Sequence, residues 1–281
     1  PHTGRSFRLG ISGVPGVGKS TFIEALGMFL VEQGHRVAVL AVDPSSTVSG
    51  GSILGDKTRM ERLAQSGAGF IRPSPTSGNL GGVGRRTREA MVVCEAAGYD
   101  HIIIETVGIG QNELTVDRMT DLNVLLMIGG AGDELQGIKR GIMEAADMIV
   151  LNKTDGDNEA RNERAATDLR HALQLMPPRD HGDRPAVLLC SAITGQGVND
   201  LMDGITRTAE RNTGSGYTKA RRMEQDRWWL RATVEERWLT AFYEDPRVVS
   251  AMEGLEAQVA RGERSPFDAA DELLRLARRP D

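Results

Sequence analysis

Seven short aliphatic runs recur between residues 7 and 212, and longer segments with mixed polar positions separate them. The runs cover residues 7–12, 36–42, 69–72, 100–105, 122–128, 147–152 and 186–191. Most are nearly continuous in Val, Ile and Leu, which is typical of strands covered on both faces, and the third run is the weakest. Because helix-length segments lie between the runs, the pattern indicates βαβ units. It predicts an α/β fold with a mostly parallel sheet flanked by helices.

The hydrophobic pattern changes near residue 212. The stretch NTGSGYT (212–218) has the composition of a linker, and long helical patterns follow it to the end of the chain. We therefore expect an α/β domain over residues 1–212 and a C-terminal helical arm over residues 213–281.

The first helical pattern of the arm contains all three tryptophans, Trp228, Trp229 and Trp238. Trp228, Ala232 and Leu239 follow helical spacing, which fits a face packed within the chain. The same spacing fits a surface for a partner, because aromatic side chains are enriched at interfaces. The sequence leaves both alternatives open, and among assemblies we expect a homodimer through this arm.

The stretch GVPGVGKST follows the first aliphatic run and matches the pattern G-x-x-x-x-G-K-[ST]. Its glycines let successive amides turn inward around a phosphate, and the helix N-terminus behind them favours an anion. Lys19 would reach the β and γ phosphates, and the Ser20 hydroxyl would coordinate Mg²⁺. A structural glycine-rich turn is the alternative, but the strand before and the helix after favour phosphate binding. The predicted phosphate loop is Gly13, Val14, Pro15, Gly16, Val17, Gly18, Lys19, Ser20 and Thr21.

A second motif, LNKTD, ends the sixth run and contains N-K-x-D. In GTPases this string recognises guanine, because its aspartate accepts hydrogen bonds from the ring N–H and the exocyclic amine. Adenine would leave that carboxylate unpaired at a cost of several kcal/mol. The stretch SAITGQG after the seventh run resembles the S-A motif of GTPases, and such loops meet at the carboxyl ends of parallel strands. The predicted base site is Asn152, Lys153, Asp155, Ser191, Ala192 and Ile193.

The side of the site that would carry hydrolysis departs from the Ras-like pattern. Ras-like proteins have D-x-x-G followed by glutamine, whereas ETVGIGQNE here has Glu105 in place of the aspartate and Gln111 only nearby. Asp43, which ends the second run, and Asp56 also lie in segments suited to the phosphate side. Each could bind Mg²⁺ or its waters, or orient the attacking water. The alternative for both is a helix cap or turn residue.

Composition excludes several classes of function. The formal net charge is -5, which gives no global electrostatic case for nucleic acid or an anionic membrane. No apolar run approaches the ~18 residues of a membrane-spanning helix.

Cys94 and Cys190 match no metal-ligand spacing and are expected to be buried, reduced thiols in a cytosol-like compartment. The first residue is Pro1, so we expect a fragment or processed chain whose native leader, if any, is not in this sequence.

Five longer strings together resemble one family of P-loop GTPases. They are GVPGVGKST, AVDPSSTVSGGSILGDKTRM, FIRPSPTSGNLGGV, ETVGIGQNE and GAGDELQGIK. They look like the MeaB/MMAA/ArgK group, which is attached to adenosylcobalamin-dependent methylmalonyl-CoA mutase. The resemblance runs from Gly10 to the C-terminal ERSPFDAADELL, and it departs where family members usually carry a helical N-terminal segment.

The resemblance implies a SIMIBI-type P-loop fold and GTP hydrolysis with Mg²⁺. It implies Lys19 as a catalytic residue together with Asp43, Asp56 and Glu105, and these three acids with Ser20 as the metal environment. It also implies that residues 129–139 form a switch loop, with Asp133, Gln136 and Lys139 as polar members, through which the nucleotide state reaches the mutase. The implied role is a G-protein chaperone that gates adenosylcobalamin loading and protects or reactivates the mutase. The implied location is the bacterial cytoplasm, or the mitochondrial matrix in a eukaryote.

Without an arginine finger or an aligned glutamine, we expect slow intrinsic hydrolysis that a partner accelerates.

Three rival functions can be weighed. A nickel-type metallochaperone GTPase should carry a Cys/His cluster near the P-loop, but the histidines are scattered in sequence at His2, His35, His101, His171 and His181. An ATP-dependent kinase is disfavoured by Asp155. A MinD-like ATPase would need a lysine where Val14 stands.

Overall fold

Seven parallel strands form one sheet in the computed structural model, which describes residues 3–43, 60–75, 82–106, 112–129 and 140–278. In chain order they are β1 (Phe7–Gly13), β2 (Val37–Asp43), β3 (Gly69–Pro75), β4 (His101–Thr106), β5 (Leu122–Ile128), β6 (Met148–Asn152) and β7 (Ala186–Leu189). They lie side by side in the order β3-β2-β4-β1-β5-β6-β7. All neighbouring pairs are parallel, so the predicted α/β fold is confirmed.

Helices connect the strands and follow them in the C-terminal part. Within the described residues they are α1 (Lys19–Glu32), α2 (Glu61–Gln65), α3 (Gly82–Ala96), α4 (Asn112–Asp117), α5 (Arg140–Ala145), α6 (Glu159–Gln174), α7 (Val198–Gly214), α8 (Tyr217–Glu244), α9 (Pro246–Ala260) and α10 (Pro266–Arg278). A short 3-10 turn, Gly156–Asn158, precedes α6. None of the helices in the described ranges is long and apolar enough to cross a membrane.

The central strands are covered on both faces, as their aliphatic runs predict. Four consecutive residues of β1 and five of β4 are buried, and so are all five residues of β6. Phe22, Ile23 and Leu26 of α1 pack into the largest hydrophobic cluster on one face. Even the weak run at 69–72 forms a true strand, which lies at the edge of the sheet and pairs with β2 along seven residues. The edge position explains its weaker pattern, because an edge strand is partly exposed.

Acidic residues organise the amino edge of the sheet, which is the edge where the strands begin. Asp121 accepts a hydrogen bond from the Arg8 amide at 2.9 Å, and Asp147 accepts one from the Asn123 amide at 2.7 Å. Asp100 accepts one from the Arg36 amide at 2.8 Å. Each aspartate precedes one strand and bonds the start of its neighbour, so these carboxylates satisfy backbone donors that the parallel ladder leaves unpaired at its end.

Buried cations neutralise this edge. Arg179 lies 3.0 Å from Asp147 and 3.2 Å from Asp117, and Arg221 of α8 lies 2.7 Å from Asp117. Burial alone would raise the pKa of Asp117, but the charges of Arg221 and Arg179 outweigh it and hold that pKa below its usual value. The first half of α8 is therefore bonded to the α/β core through charged side chains.

Two compact units divide the described chain, and the boundary falls inside α8. Unit 1 covers Pro1–Asp226 and unit 2 covers Arg227–Asp281. Unit 2 has its own cluster of buried side chains, which comprises Val248, Leu255, Ala269 and Leu273. The stretch 212–218 has a linker composition, yet α7 continues to Gly214 and α8 starts at Tyr217. Only a two-residue turn separates them, and the division at residue 212 stays a prediction.

Both cysteines are buried and free, as expected. Burial raises the pKa of the Cys190 thiol to about 11, so this thiol is neutral at physiological pH.

Candidate functional site

Every motif in the described residues lies at the carboxyl edge of the sheet, which is the edge where the strands end. Asp43 ends β2, and Glu105 is the penultimate residue of β4. The predicted phosphate loop follows β1, which lies between β4 and β5. Asn152 ends β6, and Ser191 comes two residues after β7. The strand order therefore gathers segments that are more than a hundred residues apart in sequence into one site.

The phosphate loop needs glycine where it leaves β1. Gly13 has a φ of 154°, and a Cβ at this position would lie 2.5 Å from the backbone oxygen of Leu126 in β5. Such a contact is too close for any side chain without a shift of β5. The predicted loop residues differ in exposure: Pro15, Gly16 and Thr21 are exposed, whereas Val17 belongs to the core.

Lys19 is buried at the start of α1, and its ammonium group turns back over the loop. Its Nζ donates to the carbonyl oxygens of Gly13 at 2.7 Å and Val14 at 3.2 Å. A buried cation costs free energy unless polar groups surround it. One positive charge therefore lies inside the bend of the glycine-rich loop, where it can attract an anion.

The N-K-x-D loop is bonded directly to the phosphate loop. Asn152 Nδ2 donates to the Val17 carbonyl at 2.8 Å, and Asn152 Oδ1 accepts from the Ala192 amide at 3.2 Å. Lys153 Nζ donates to the Gly16 carbonyl at 2.9 Å. Lys153 is also the one non-glycine residue of the described chain with a positive φ, 62°. Asn152 and Lys153 therefore connect their own loop to the phosphate loop, and Asn152 also connects it to the loop after β7. All three hydrogen bonds are made to backbone groups.

Asp155 lies at the other end of this loop and is half-buried. Its Oδ1 accepts a hydrogen bond from the buried Ser191 hydroxyl at 2.7 Å, and Ser191 Oγ accepts one from the Thr194 amide at 3.2 Å. Ser191 therefore fixes the orientation of the carboxylate. Ile193 is 76% exposed and could cover a planar ligand without a cost in folding.

Two positioning residues were missed by the sequence analysis. Thr154 Oγ1 donates to the Leu151 and Cys190 carbonyls, both at 3.0 Å. Asn162 of α6 is buried, and its Nδ2 lies within 3.5 Å of the Asn152 carbonyl, the Lys153 carbonyl and Thr154 Oγ1. Neither residue stands in a motif that describes its role. A polar residue at a core-facing position of α6 is the only signal that the sequence offers for Asn162.

Asn162 also contacts the end of β5. A Cβ on Gly129 would lie 1.9 Å from Asn162 Oδ1, so the position next to β5 must be glycine. Gly129 is the first residue of the predicted switch loop. The same side chain thus bonds the N-K-x-D loop and packs against the start of that segment.

The carboxylates predicted as metal ligands are only partly described. Glu105 is buried, 4% exposed, and pairs with Ile11 of β1, which leads into the phosphate loop. Asp43 ends β2, but the structure does not describe its side chain. Oxygen ligands are what Mg²⁺ prefers, so the Ser20 hydroxyl and the buried Glu105 carboxylate fit that ion. Asp56, Gln111, Asp133, Gln136 and Lys139 lie outside the described residues.

Comparison with known proteins identifies the chain's relatives. Residues 1–247 match the family model of the methylmalonyl-CoA mutase-associated GTPase MeaB. A GTPase of Caulobacter vibrioides is 54% identical over 98% of this chain and 84% of its own length. The mitochondrial methylmalonic aciduria type A homologue of Mus musculus is 48% identical over 96% of this chain and 65% of its own.

A solved structure shares the fold. The crystal structure of a LAO/AO transport system kinase matches with a TM-score of 0.71 and 36% identity, over 99% of this chain and 84% of that one. The family model and the Caulobacter relative are both named for a GTPase, and this favours the GTPase over the alternative of a kinase. The resemblance drawn from the five strings is confirmed: the chain belongs to the family of methylmalonyl-CoA mutase-associated GTPases, and it is a GTPase that binds GTP and GDP.

Proposed function

We propose that this GTPase is a chaperone of an adenosylcobalamin-dependent methylmalonyl-CoA mutase. The GTP and GDP states would gate loading of intact cofactor and removal of damaged cofactor, and so protect or reactivate the mutase. The family description names that mutase, and the mouse relative is named for methylmalonic aciduria. These names support the proposal that the partner is a methylmalonyl-CoA mutase.

One observation carries the mechanism: the phosphate loop and the base loop are bonded to each other. Asn152 and Lys153 donate to the Val17 and Gly16 carbonyls, and Asn162 joins the base loop to Gly129. A ligand that moves the phosphate loop therefore acts on the start of the predicted switch loop. Loss of the γ phosphate would change the contacts of that loop, and Asp133, Gln136 and Lys139 would carry the change to the mutase.

In the proposed complex Asp155 recognises guanine and Lys19 stabilises negative charge on the γ phosphate. Ser20 would hold Mg²⁺ together with Glu105, Asp43 and Asp56. When bound, the ion supplies neutralisation of charge on the phosphate oxygens. The residues of the chain would orient the phosphates for in-line attack by water.

The base assignment can be tested by Asp155→Asn. Guanine presents two N–H donors, whereas xanthine presents an oxygen in place of the amine, so an amide suits xanthine better than a carboxylate does. We expect the affinity for GTP to fall about 10- to 150-fold, since a hydrogen bond to a charged group is worth about 1.5–3 kcal/mol. The affinity for xanthosine triphosphate should rise. Calorimetry with both nucleotides measures this, with exposed Asp168→Asn as the control. Unchanged preference for GTP in Asp155→Asn would remove Asp155 from the base site.

The proposed acceleration of hydrolysis by a partner is tested with the mutase itself. No arginine finger or aligned glutamine stands in the hydrolytic motif, so we propose slow intrinsic turnover that the mutase accelerates. Single-turnover GTP hydrolysis should be at least about tenfold faster with the purified mutase than without it. A pull-down with GDP and with a non-hydrolysable GTP analogue should differ in the amount of mutase retained. Equal rates and equal retention would exclude the chaperone cycle while leaving the GTPase assignment intact.

Unit 2 supports a homodimer. Leu230, Val234 and Trp238 recur every four residues of α8 and are 68%, 59% and 66% exposed. A stripe of this kind favours an interface, because monomeric soluble proteins rarely expose a large contiguous apolar patch. Trp228 and Leu239 are 37% and 55% exposed, which weighs against the alternative of a face packed within the chain. Sedimentation equilibrium should give a dimer that Val234→Asp dissociates, and a monomeric wild-type protein would refute this proposal.

We place this chain in the bacterial cytoplasm, in keeping with its bacterial relative, and the mitochondrial matrix would apply to a eukaryotic homologue.

A further inference from the structure

We propose that His35, Asp100 and His101 form a binding site for a divalent transition-metal ion such as Zn²⁺ at the amino edge of the sheet. One ligand atom from each residue lies within 4.8 Å of the others, and this is the one such group of three among the described residues. Nothing in the assigned GTPase activity uses these side chains.

The donor atoms of the three residues lie close together. His35 Nδ1 lies 2.8 Å from Asp100 Oδ2, and His101 Nδ1 lies 3.3 Å from Asp100 Oδ1. The two imidazole rings are 4.3 Å apart between centroids and inclined by 61°. Both rings therefore direct the same nitrogen toward the same carboxylate. Ligands of a tetrahedral ion at about 2.0–2.2 Å stand slightly more than 3 Å apart, so a small adjustment of the side chains would admit the ion.

The fold holds these residues together although 65 positions separate His35 from Asp100. His35 lies in the turn between α1 and β2, and His101 is the first residue of β4. Because β2 and β4 are neighbours with Val37 opposite His101, the residues before them meet. The Arg36 amide fixes one oxygen of Asp100, and the Phe7 ring packs edge-on against His101 at 5.9 Å. The histidines are scattered along the sequence, but in the structure two of them are in contact.

The donor set selects the class of ion. Two imidazole nitrogens and one carboxylate oxygen suit Zn²⁺, Co²⁺ or Ni²⁺, whereas Mg²⁺ and Ca²⁺ prefer oxygen ligands alone. Three protein ligands leave a fourth position for water. The side chains of His35, Asp100 and His101 are 39%, 49% and 19% exposed, so an ion can reach the site from solvent.

This site is separate from the Mg²⁺ position of the GTPase. The three residues lie where β2 and β4 begin, and the phosphate loop lies where the strands end. A strand of six or seven residues spans about 20 Å. A bound transition metal would therefore not touch the nucleotide, and its binding can be measured with that site filled.

The test is a Zn²⁺ titration of the full chain saturated with GDP and Mg²⁺, in competition with a chromophoric chelator. We expect one equivalent of Zn²⁺ to bind, and Co²⁺ in its place to give the visible absorption of a tetrahedral site. His35→Gln and His101→Gln should each weaken Zn²⁺ at least about tenfold, because loss of a ligand costs no less than loss of an outer-shell partner. His171→Gln, on the exposed face of α6, is the matched control and should bind as the wild type does.

Intrinsic GTP hydrolysis should be unchanged in all three variants, which separates this inference from the proposed function. Thermal unfolding provides a second readout: Zn²⁺ should raise the midpoint of the wild type but not of His101→Gln. No equimolar binding in the wild type would overturn the site, whatever the variants do. Binding that His35→Gln and His101→Gln leave unchanged would overturn it equally.

Discussion

At the amino edge of the sheet, Asp100, Asp121 and Asp147 each precede a strand and accept an amide at the start of the neighbouring strand. At the carboxyl edge, Asn152 ends a strand and Asp155 follows it, and both bond loops. Asp121 and Asp147 also face buried or half-buried arginines, whereas Asp155 faces a serine hydroxyl. The same kind of side chain thus has different partners at the two edges.

The position of an acid relative to its strand therefore indicates its role. An acid before a strand replaces water at the end of a ladder by accepting a backbone amide, and Asp121 and Asp147 also pair with arginines, so loss of either should destabilise the fold. A polar residue after a strand bonds the loops of the candidate site, so its loss should change ligand binding more than stability. Variants at the two edges should therefore separate the effect on stability from the effect on ligand binding.

The largest effect should come from Asp147→Asn at the amino edge. Asp147 is bonded to Arg179 and His181, each at 3.0 Å, and all three side chains are nearly inaccessible to solvent. Breaking a buried pair from one side leaves an uncompensated charge and costs about 3–5 kcal/mol. The free energy of unfolding from urea denaturation should fall by that amount, while the GTP affinity of the folded fraction stays unchanged. Asp168→Asn, at an exposed position of α6, is the control and should change the free energy of unfolding by less than about 0.5 kcal/mol. Comparable losses in both variants would contradict the structural role of the amino edge.

Lys19→Ala should give the reverse result at the carboxyl edge. Its ammonium group donates to the loop carbonyls of Gly13 and Val14, and it is the cation of the phosphate loop. Loss of a group that stabilises transition-state charge lowers kcat about 100- to 1,000-fold. The free energy of unfolding should fall by about 1.5–3 kcal/mol, the range for hydrogen bonds to a charged group, which is less than the loss expected for Asp147→Asn. Hydrolysis assays and urea denaturation measure both quantities, with exposed Lys219→Ala as the control. A large loss of stability with retained hydrolysis would place Lys19 with the structural residues.

Asn162→Ala should have an intermediate and mixed effect, because Asn162 belongs to a helix but bonds the base loop. Removing the amide leaves the Lys153 carbonyl without that donor, at a cost of about 1–3 kcal/mol. We expect a weaker affinity for GDP, by about tenfold, together with a modest loss of stability. Asn158→Ala, exposed at the start of α6, should change neither quantity. Calorimetry of GDP binding distinguishes this outcome from a purely structural one, in which only stability would fall.

The smallest effect should appear in the pH dependence of stability. The pKa of Asp117 is lowered in the folded state, so its ionised form contributes stability above the unfolded pKa of about 4. That contribution is lost as the pH falls through the folded pKa. Urea denaturation from pH 6 to pH 3 should therefore show a shallower decline in Asp117→Asn than in the wild type. Parallel curves would mean that Arg179 and Arg221 do not hold this carboxylate ionised.

Much of the fold could be predicted because burial on both faces leaves a direct mark on the sequence. All seven runs became strands, each beginning within one residue of its run. The glycine-rich loop could be predicted for a similar reason, since Gly13 lies against Leu126 and tolerates no side chain. The linker at 212–218 was read from composition, but helix propagation from α7 and into α8 overrode it and left a turn of two residues.

Contacts within the site were harder to predict than its motifs. The string N-K-x-D indicated a base site, but it did not indicate that Asn152 and Lys153 bond the phosphate loop. Asn162 has no motif of its own, and its role depends on how α6 packs over the loop. His35 and His101 are separated by a helix-length segment and two runs, and only the pairing of β2 with β4 brings them together.

The amino-acid sequence alone is enough to predict which segments become strands, where the chain must bend without side chains, and which family the chain resembles. These properties depend on local periodicity and on residues a few positions apart. The tertiary structure decided which strand lies beside which, and therefore which polar side chains share a site at either edge of the sheet. Strand order joins residues from distant parts of the chain, and no local pattern records that pairing.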